Sequence, residues 1–429
     1  MLPAPVHADP SRAVGEDAIR IVDADAPVQS RKRGVCANKL HPEDFVALAP
    51  GVSWYYNWHF NGDQPPEGVP FEFIPMVWGD TPERLEGLRA YLAEGHRPRA
   101  ILVNNEPNLK GQAFISPQQS ADLHRRVHEI TADLDIPLVG PHMAIGSAEP
   151  ASITAFDPIQ QKDVTYTFMI PFLKAFFHYV GDVRVDGVGV HPYKNIGEAV
   201  WAADFTHRET GKPVWMTEFA WWHAPDERSS IQYLVKASDY YERAEHVHGY
   251  AWFKERIGRP HLRLFTNQPG ELTPLGKAYV NLPVHDPDVY YRMPGRLNAA
   301  RYVSLKHAEI DLAPDPDDFV TMIATDAGAS LRYNLFAEQP GRYALRVSAG
   351  GPAGTLVISD GAGQSTEIAL LGSPSAQPSD PSGAVNVVSD IVHLDLSAGT
   401  QQWTIQLEHA GQWINWIELT PAEAAPQGN

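Results

Sequence analysis

The first two thirds of the chain carry short apolar runs that recur at intervals of roughly 20 to 45 residues. Eight such runs occur: RGVCAN, SWYYNW, FEFIPMVWG, AILVNNEP, IPLVGP, VDGVGVHPY, KPVWMTEF and HGYAWF. Segments with helical periodicity separate them. Strands that alternate with helices over about 250 residues predict a closed parallel sheet, and eight is the strand number of a (β/α)8 TIM barrel.

Three of the helices have recognisable starts. Thr81-Pro82 supplies an N-cap followed by a proline at the first helical position, and leucines then follow at helical spacing. Ser116-Pro117 opens a second helix in the same way, and residues 226–243 supply a third. The stretch 146–171 interrupts the alternation and is rich in Phe and Tyr, so we expect it to build one wall of a cleft.

The pattern changes after Val280, where helical periodicity ends and short alternating strands are separated by Gly, Ser, Pro and Asp. Six strands are predicted: SLRYNLFA, GRYALRVSA, GTLVISD, VHLDLSA, QQWTIQLE and QWINWIELT. Such spacing is typical of an antiparallel β-sandwich, here jelly-roll-like. The predicted organisation is a tail or strap at 1–30, a barrel at 31–280, a linker at 281–295, a sandwich at 296–422 and a tail at 423–429.

Composition narrows the class of partner. The chain of 429 residues has a formal charge of −18 and a pI near 5.4, which argues against nucleic acid and suits a neutral polymer. The single cysteine, Cys36, excludes an intramolecular disulfide and is expected to be an inert core residue. No run of eighteen apolar residues occurs, so we expect no membrane span. Val-His-Ala near the start resembles a cleavage-site remnant, which favours export.

Two of the predicted strands end in a glutamate. Glu106 ends the fourth run and Glu218 the seventh, and the gap of 218 − 106 = 112 residues fits three βα units of about 37 residues. Both carboxyls should therefore lie at the C-terminal face of the barrel, where such folds keep their active sites. A pair of carboxyls is what a retaining glycosidase needs, one to protonate the leaving oxygen and one to attack the anomeric carbon.

Neighbouring residues fit the same chemistry. Asn105 could hydrogen-bond a sugar 2-hydroxyl. His191 and Tyr193 alternate along the sixth strand, and Tyr193 could donate to Glu218 and keep it ionised. Trp252, at the end of the eighth run, is predicted to form an apolar floor under the sugar ring. Each motif alone is weak, since Asn-Glu-Pro can be an ordinary turn and a lone histidine is more often a core residue, but their order along one eight-strand pattern favours catalysis.

Other chemistries lack their motifs. No His-Glu-x-x-His sequence occurs, and no G-x-G-x-x-G, P-loop or G-x-S-x-G elbow is present. We therefore expect no metal at the active site and no cofactor.

The ordered set WYYNW, IPMVWG, NNEPN, VDGVGVHPY, KPVWMTEFA and GYAWF resembles glycoside hydrolase family 128 over roughly residues 33–256. The resemblance implies a (β/α)8 fold and hydrolysis of β-1,3-glucan with retention, with Glu106 matching the acid/base and Glu218 the nucleophile. It also implies substrate-binding candidates: Trp54, Tyr56, Trp58, Trp78, Asn104, Asn108 and Trp221. Alternation puts Trp54, Tyr56 and Trp58 on one face of their strand, either the cleft or the helix layer.

The C-terminal strands resemble carbohydrate-binding modules of families 6 and 35. The resemblance implies that Asn415 contacts sugar and that Trp403 and Trp413 stack on it. Of the acidic run that ligates structural calcium in those modules, only Glu309 is in place, which weakens the case for calcium.

These patterns favour a secreted, bacterial, monomeric endo-β-1,3-glucanase that binds its polysaccharide without a cofactor. Exo cleavage stays open, because it depends on loops across the cleft. Two alternatives also stay open: a related hydrolase of another β-linked polysaccharide, such as a mannan or a mixed-linkage glucan, and a glucan-binding protein without catalysis.

Overall fold

The structure, a computed structural model, describes residues 19–313, 319–361, 363–372 and 386–422. The chain divides into two compact units. One unit comprises Gln29–Asn281, and the other combines the residues up to Val28 with those from Leu282 onward. No helix in the described ranges is both long enough and apolar enough to cross a membrane.

The unit Gln29–Asn281 is mixed α/β, built on one curled parallel sheet. Its strands are Ser30–Cys36, Val52–Tyr56, Glu72–Phe73, Met76–Val77, Ile101–Val103, Leu138–Ala144, Gly187–His191, Val214–Phe219 and Val247–Phe253. Its α-helices are Pro42–Leu48, Pro82–Ala93, Pro117–Thr131, Met169–Val180, Ile196–Thr210, Glu227–Arg243 and Pro274–Asn281, with a 3₁₀ turn at Pro260–Leu262. Mixed α/β architecture with a parallel sheet is therefore confirmed.

Each of the eight predicted runs contains a strand. The third run contains two, Glu72–Phe73 and Met76–Val77, which are separated by Ile74 and Pro75. Glu72–Phe73 pairs with Val52–Tyr56, and Met76–Val77 pairs with Ile101–Val103. The proline explains the break, because it has no N–H to give to a ladder. The two ends of the sheet are thus neighbours in sequence.

The predicted helix starts are also confirmed. Thr81 is the N-cap of Pro82–Ala93, and Asp226 caps Glu227–Arg243 by accepting a hydrogen bond from the Ser229 N–H at 2.7 Å. Ser116 forms a capping box with Gln119, in which each side chain bonds the other residue's backbone N–H.

The stretch 146–171 holds an antiparallel pair of strands, Ile153–Asp157 and Lys162–Tyr166, before the helix Met169–Val180 begins. Phe156 and Ile159 of this hairpin are exposed. Its role as a wall of the cleft stays a prediction.

Large side chains fill the inside of the curled sheet. Trp54 is fully buried there against Trp215, with ring centroids 5.6 Å apart. A glycine on the neighbouring strand makes room for it, because a Cβ on Gly34 would lie 2.2 Å from the Trp54 ring. The buried cysteine, Cys36, belongs to the same cluster, and burial raises the pKa of its thiol well above the usual value. The prediction of an inert core cysteine is confirmed.

The second unit is built from largely antiparallel sheets. Its strands are Arg20–Asp23, Val289–Met293, Gly295–Asn298, Ser304–Lys306, Ala308–Leu312, Val320–Ala324, Ala329–Ala337, Gly341–Gly350, Gly354–Asp360, Ser365–Leu370, Val387–Val388, Val392–Leu396, Gly399–Leu407 and Trp413–Pro421. All six predicted strands are among them. They form two sheets, in which only the pairings of Val289–Met293 with Arg20–Asp23 and with Ala329–Ala337 are parallel.

The predicted linker needs correction. Residues 289–293 of the segment 281–295 form a strand, because Val289, Tyr291 and Met293 alternate inward and are each 1% exposed. That strand holds Arg20–Asp23 in parallel register, so part of the predicted N-terminal strap belongs to the second unit. The tail at 423–429 and the sequence before residue 19 lie outside the described residues.

We expect the Gln29–Asn281 unit to lose stability in mild acid. Burial lowers the pKa of His124 to about 4 and that of His142 to about 3. The unfolded chain binds these protons at a pKa of about 6.5, so the two histidines leave folding unaffected above that pH and progressively penalise it below. The penalty is about 2 kcal/mol per histidine at pH 5.

Thermal unfolding between pH 7 and 4.5 should show a shallower pH dependence for His124→Gln than for the wild type. His223→Gln, at an exposed position, is the matched control; equal slopes in all three proteins would contradict the prediction.

Candidate active site

Three predicted site residues meet at the C-terminal ends of strands of the parallel sheet. Glu106 follows Ile101–Val103, His191 ends Gly187–His191, and Glu218 lies in Val214–Phe219. They are 6%, 3% and 5% exposed, respectively. One nitrogen of His191 and one oxygen from each glutamate lie within 4.8 Å of one another. Two carboxyls 112 residues apart in sequence therefore share one small volume around an imidazole.

Glu218 accepts hydrogen bonds from three neutral donors. Trp58 Nε1 donates to Oε1 at 2.7 Å, Tyr56 OH donates to Oε1 at 3.2 Å, and Tyr193 OH donates to Oε2. Burial, together with the nearby Glu218 charge, raises the pKa of both tyrosines well above the usual value, so they remain donors. Hydrogen bonds to a carboxylate stabilise its charged form. The predicted bond from Tyr193 to Glu218 is confirmed.

Glu106 shares His191 with Glu218. His191 Nδ1 lies 3.0 Å from Glu106 Oε1 and 3.5 Å from Glu218 Oε2. Burial lowers the pKa of His191, but the adjacent Glu218 and Glu106 carboxylates more than offset it, and the net shift is upward. His191 therefore keeps its proton to higher pH than a free imidazole does.

The backbone at the site adopts left-handed conformations at residues other than glycine. Asn104, Glu106 and Trp58 have φ values of 65°, 44° and 61°. Such residues cost about 1 to 3 kcal/mol each and cluster at functional sites. The strand edge holds them in place, since Asn105 N–H donates to the Trp78 carbonyl at 2.8 Å and Glu106 N–H to the His142 carbonyl at 2.7 Å.

The asparagines around Glu106 have different roles. Asn105 Nδ2 donates to Gln112 Oε1 at 3.2 Å, while its buried Oδ1 has no hydrogen-bond partner among the described residues. Asn104 and Asn108 are fully buried. Asn104 donates to the Ser120 carbonyl on the following helix at 3.2 Å, and Asn108 donates to a strand carbonyl at 2.9 Å. The prediction that these two bind substrate is corrected, because both side chains are fully buried.

The aromatic predictions on the second strand divide between the core and the site. Trp54 is 0% exposed inside the sheet, so its prediction as a sugar-binding residue is wrong. Tyr56 is also fully buried, and its hydroxyl supports Glu218 instead of facing substrate. Trp58, beyond the strand end, is half-buried and bonds Glu218 directly. Trp78 is half-buried as well, with the Arg84 guanidinium 5.1 Å from its ring centroid.

Trp252 does not form the predicted floor. It is fully buried, donates from Nε1 to the Leu262 carbonyl at 2.8 Å, and packs edge-on against Phe219. The neighbouring residue, Phe253, is half-buried and contacts Trp58 and Tyr193, with centroids 5.8 and 5.5 Å away. Successive side chains of a strand point to opposite faces, which explains why Phe253 and not Trp252 lies at the site.

Trp222 belongs to the same group of aromatic side chains as Trp58, Tyr193 and Phe253, and it was not among the predicted site residues. Its ring lies 6.2 Å from Phe253 and 5.9 Å from Tyr193. Trp221, which was predicted instead, lies 6.5 Å from Tyr233 of the helix Glu227–Arg243. Trp222 lies in the turn after the strand Val214–Phe219, where strand alternation no longer applies, so no periodic signal in the sequence indicated it.

The predicted sugar contacts of the second unit are buried. Trp403, Trp413 and Asn415 are 1%, 2% and 0% exposed. Trp403 Nε1 donates to Gln401 Oε1 at 3.3 Å, and Trp413 Nε1 donates to Asn386 Oδ1 at 3.0 Å. Their prediction as sugar-binding residues is corrected, because all three lie on inward-facing positions of their strands. Glu309 is exposed on Ala308–Leu312.

Glu106, His191 and Glu218 are also the one group of carboxylate and imidazole ligands among the described residues whose atoms are close enough to approach a cation together. The same atoms already have partners, because His191 contacts both glutamates and Glu218 accepts from the Trp58 indole and from the Tyr56 and Tyr193 phenols.

A parallel α/β unit that gathers two buried carboxyls at its strand ends defines a glycoside hydrolase. Residues 34–279 match the family model described as glycosyl hydrolase catalytic core. Among solved structures, the chain is similar to the glycoside hydrolase family 128 (subgroup II) endo-β-1,3-glucanase from Pseudomonas viridiflava, with 31% identity and a TM-score of 0.51 over 60% of this chain and 100% of that chain. The subgroup II endo-β-1,3-glucanase from Sorangium cellulosum gives 29% identity and a TM-score of 0.51 over 59% and 100% of the two chains.

This chain belongs to glycoside hydrolase family 128. No curated protein sequence matches it significantly.

Proposed function

We propose that the protein hydrolyses β-1,3-glucan internally and with retention of anomeric configuration. The observation that carries this proposal is the pair Glu106 and Glu218, which both approach His191 Nδ1, in a chain similar to two endo-β-1,3-glucanases. A retaining pair is about 5 to 5.5 Å apart, whereas an inverting pair needs about 6.5 to 9.5 Å. The approach of the two carboxyl oxygens to within 4.8 Å supports retention.

In the first step, Glu106 gives its proton to the glycosidic oxygen while the bond from that oxygen to the anomeric carbon breaks. The electron pair of the broken bond stays on the leaving oxygen, and a Glu218 oxygen forms a bond to the anomeric carbon. Glu106, now a carboxylate, then takes a proton from water as the water oxygen displaces Glu218. Each displacement inverts the carbon, so the product keeps the configuration of the substrate.

The surrounding residues fit these roles. The donors from Trp58, Tyr56 and Tyr193 fix the orientation of the Glu218 carboxylate. The unpartnered Oδ1 of Asn105 is an acceptor for the sugar 2-hydroxyl, a contact that strengthens at the transition state. Phe253 and Trp222 offer apolar rings for the sugar faces.

A product profile tests the substrate class. We expect the enzyme to release oligosaccharides from β-1,3-glucan and to leave β-1,4-glucan and mannan intact, with a Glu218→Ala protein as the inactive control. A mixture of short oligosaccharides early in the reaction supports endo cleavage, and a single small product supports exo cleavage. Preferential cleavage of mannan or of mixed-linkage glucan would identify the related substrate class. Binding of glucan without any cleavage would identify a non-catalytic binding protein.

We further propose that the curled sheet closes into a (β/α)8 barrel and that the second unit is a β-sandwich. The barrel is supported by the position of Glu72–Phe73 and Met76–Val77, which end the sheet yet are separated by only Ile74 and Pro75. Hydrogen bonds bridge this gap, since Ile74 N–H donates to the Tyr55 carbonyl at 2.9 Å and Leu102 N–H donates to the Pro75 carbonyl at 3.0 Å.

The second unit is proposed to bind glucan and hold the catalytic unit near its polymer, through surface residues other than the buried Trp403, Trp413 and Asn415. The inactive Glu218→Ala chain should then bind insoluble β-1,3-glucan more tightly than the same variant limited to residues 29–281. Equal binding, together with a lower melting temperature for the shorter chain, would instead assign a stabilising role to the second unit.

We also propose that the protein is secreted, because an enzyme must meet an extended polysaccharide outside the cell. A bacterial source and a monomeric state complete the proposal. Carboxyl chemistry requires no cofactor, so a chelator should leave the rate of hydrolysis unchanged.

A further inference from the structure

A line of hydrogen bonds runs beneath the two carboxyls and crosses three strands. It begins at the Val139 carbonyl, which lies 3.0 Å from His142 Nε2. His142 Nδ1 lies 2.7 Å from Thr217 Oγ1, and Thr217 Oγ1 lies 3.0 Å from His191 Nε2. His191 Nδ1 then meets Glu106 Oε1 at 3.0 Å. His142, Thr217 and His191 are 0%, 0% and 3% exposed, so water does not compete for these bonds.

The hydrogen-bond network fixes which atom carries each proton. A carbonyl only accepts, so His142 Nε2 carries a proton and donates it to Val139. Burial, reinforced by the neighbouring His191, lowers the pKa of His142 to about 3, so the ring is neutral above that pH and its Nδ1 carries no proton. His142 Nδ1 is therefore an acceptor, and the Thr217 hydroxyl donates to it.

The direction of the Thr217 hydrogen bond then determines which nitrogen of His191 carries a proton. A hydroxyl has one hydrogen, and that of Thr217 is committed to His142. Thr217 Oγ1 can therefore only accept from His191, which keeps a proton on His191 Nε2. When His191 is neutral, its Nδ1 offers a lone pair to the Glu106 and Glu218 oxygens.

The place of the His142 ring is prepared by a glycine. A Cβ on Gly189 of the adjacent strand would lie 1.9 Å from His142 Nδ1 and 2.5 Å from its Cγ. The ring therefore lies against a bare Cα, and the His142 nitrogen can reach Thr217 only because no side chain occupies that position.

From this geometry we propose that Thr217 and His142 are positioning residues that retain the acid proton of the Glu106–His191 pair. With Nε2 always protonated, a pair that loses its shared proton leaves a lone pair of His191 facing two carboxylates. That state has no hydrogen bond to stabilise it, so the pair keeps its proton to higher pH, ready for the glycosidic oxygen. This inference rests on the proposed function of Glu106 as the acid.

The other groups next to His191 do not supply an alternative proton. Tyr193 and Tyr56 donate to Glu218, and burial, with charges near them, raises the pKa of each well above the usual value. The titratable groups that face His191 directly are Glu106, Glu218 and His142.

Thr217→Val tests the proposal because it keeps the β-branched shape and removes the hydroxyl. Neutral His191 can then move its proton to Nδ1 and donate to the Glu106 carboxylate, which stabilises the deprotonated pair. The basic limb of kcat/KM for a β-1,3-linked oligosaccharide should move to lower pH by about 0.5 to 1 unit.

Thr217→Ser restores the hydroxyl and should restore the wild-type limb. A glycosyl fluoride, whose leaving group needs little acid assistance, should show no loss in Thr217→Val at alkaline pH. An unmoved limb in Thr217→Val, an equal shift in Thr217→Ser, or an equal loss on the fluoride would overturn the proposal.

Side-chain ¹⁵N NMR of histidine-labelled protein gives a readout independent of activity. Above the basic limb, the His191 ring, assigned by its missing signals in His191→Gln, should be the Nε2–H tautomer in the wild type and shift toward Nδ1–H in Thr217→Val. A wild-type Nδ1–H tautomer would overturn the proposal even if the enzyme hydrolyses glucan. An Nε2–H tautomer in a protein that cleaves no glucan would instead show that the proposed function fails while the proton arrangement holds.

Discussion

Replacing Glu218 with alanine is expected to reduce turnover of β-1,3-glucan on the order of 10⁴- to 10⁶-fold, the scale seen when a nucleophile is removed. In the proposed mechanism this carboxylate bonds to the anomeric carbon, and three neutral donors hold it in place. No other carboxylate in the described cluster can replace it, because Glu106 is engaged with His191 as the acid. Rates on soluble oligosaccharides, measured from reducing ends, give the loss directly.

Rescue of the Glu218→Ala variant by azide would identify Glu218 as the nucleophile. Alanine leaves space beside the anomeric carbon, so azide added to Glu218→Ala should attack an activated β-glycoside and give an α-glycosyl azide. Glu94→Ala, at an exposed helix end, is the matched control and should keep wild-type activity without azide. Formation of a glycosyl azide by the Glu106 variant with inverted configuration would reverse the two roles. A melting temperature far below that of the wild type would mean that the carboxylate was needed for the fold.

Replacing Glu106 with glutamine should produce a loss that depends on the leaving group. For a sugar leaving group, which needs a proton, we expect kcat/KM to fall by about 10² to 10⁴, the usual size of general acid–base catalysis. For an aryl glycoside with a good leaving group, the loss should be much smaller. The basic limb of the pH profile should also disappear for that substrate, because the shared proton of Glu106 and His191 no longer limits the rate.

The size of the leaving-group effect distinguishes an acid from a binding residue. A binding residue would reduce both substrates equally and leave the basic limb in place. Retention of that limb in Glu106→Gln would mean that another group donates the proton.

Sequence periodicity was sufficient to predict the parallel α/β scaffold and the proximity of Glu106 and Glu218. The eight apolar runs became the strands of the curled sheet, and the N-caps at Thr81, Ser116 and Asp226 began the helices predicted for them. Glu106 and Glu218 were found because parallel strands present their C-terminal ends on one face, which makes position along a strand a guide to position in space. Local hydrogen bonding and alternation are properties of neighbouring residues, so the sequence contains them.

The depth at which a side chain lies was decided by tertiary structure. Trp54, Tyr56 and Trp58 share one face by alternation, yet the first fills the interior of the sheet while the last reaches Glu218. A period of two states which residues lie together and does not state how deep each lies. A different uncertainty exchanged Trp252 for Phe253, because the sequence did not show which of the two alternating faces of Val247–Phe253 points to the site.

The proton arrangement at the site also required the fold. His142, Thr217 and His191 come from three strands, and their hydrogen bonds depend on strand register and on the bare Cα of Gly189. The sequence by itself determined two carboxyls on one barrel-like scaffold and a second β unit. Only the tertiary structure decided which groups hold the proton between those carboxyls, because an inter-strand hydrogen bond depends on ångström distances that no periodicity records.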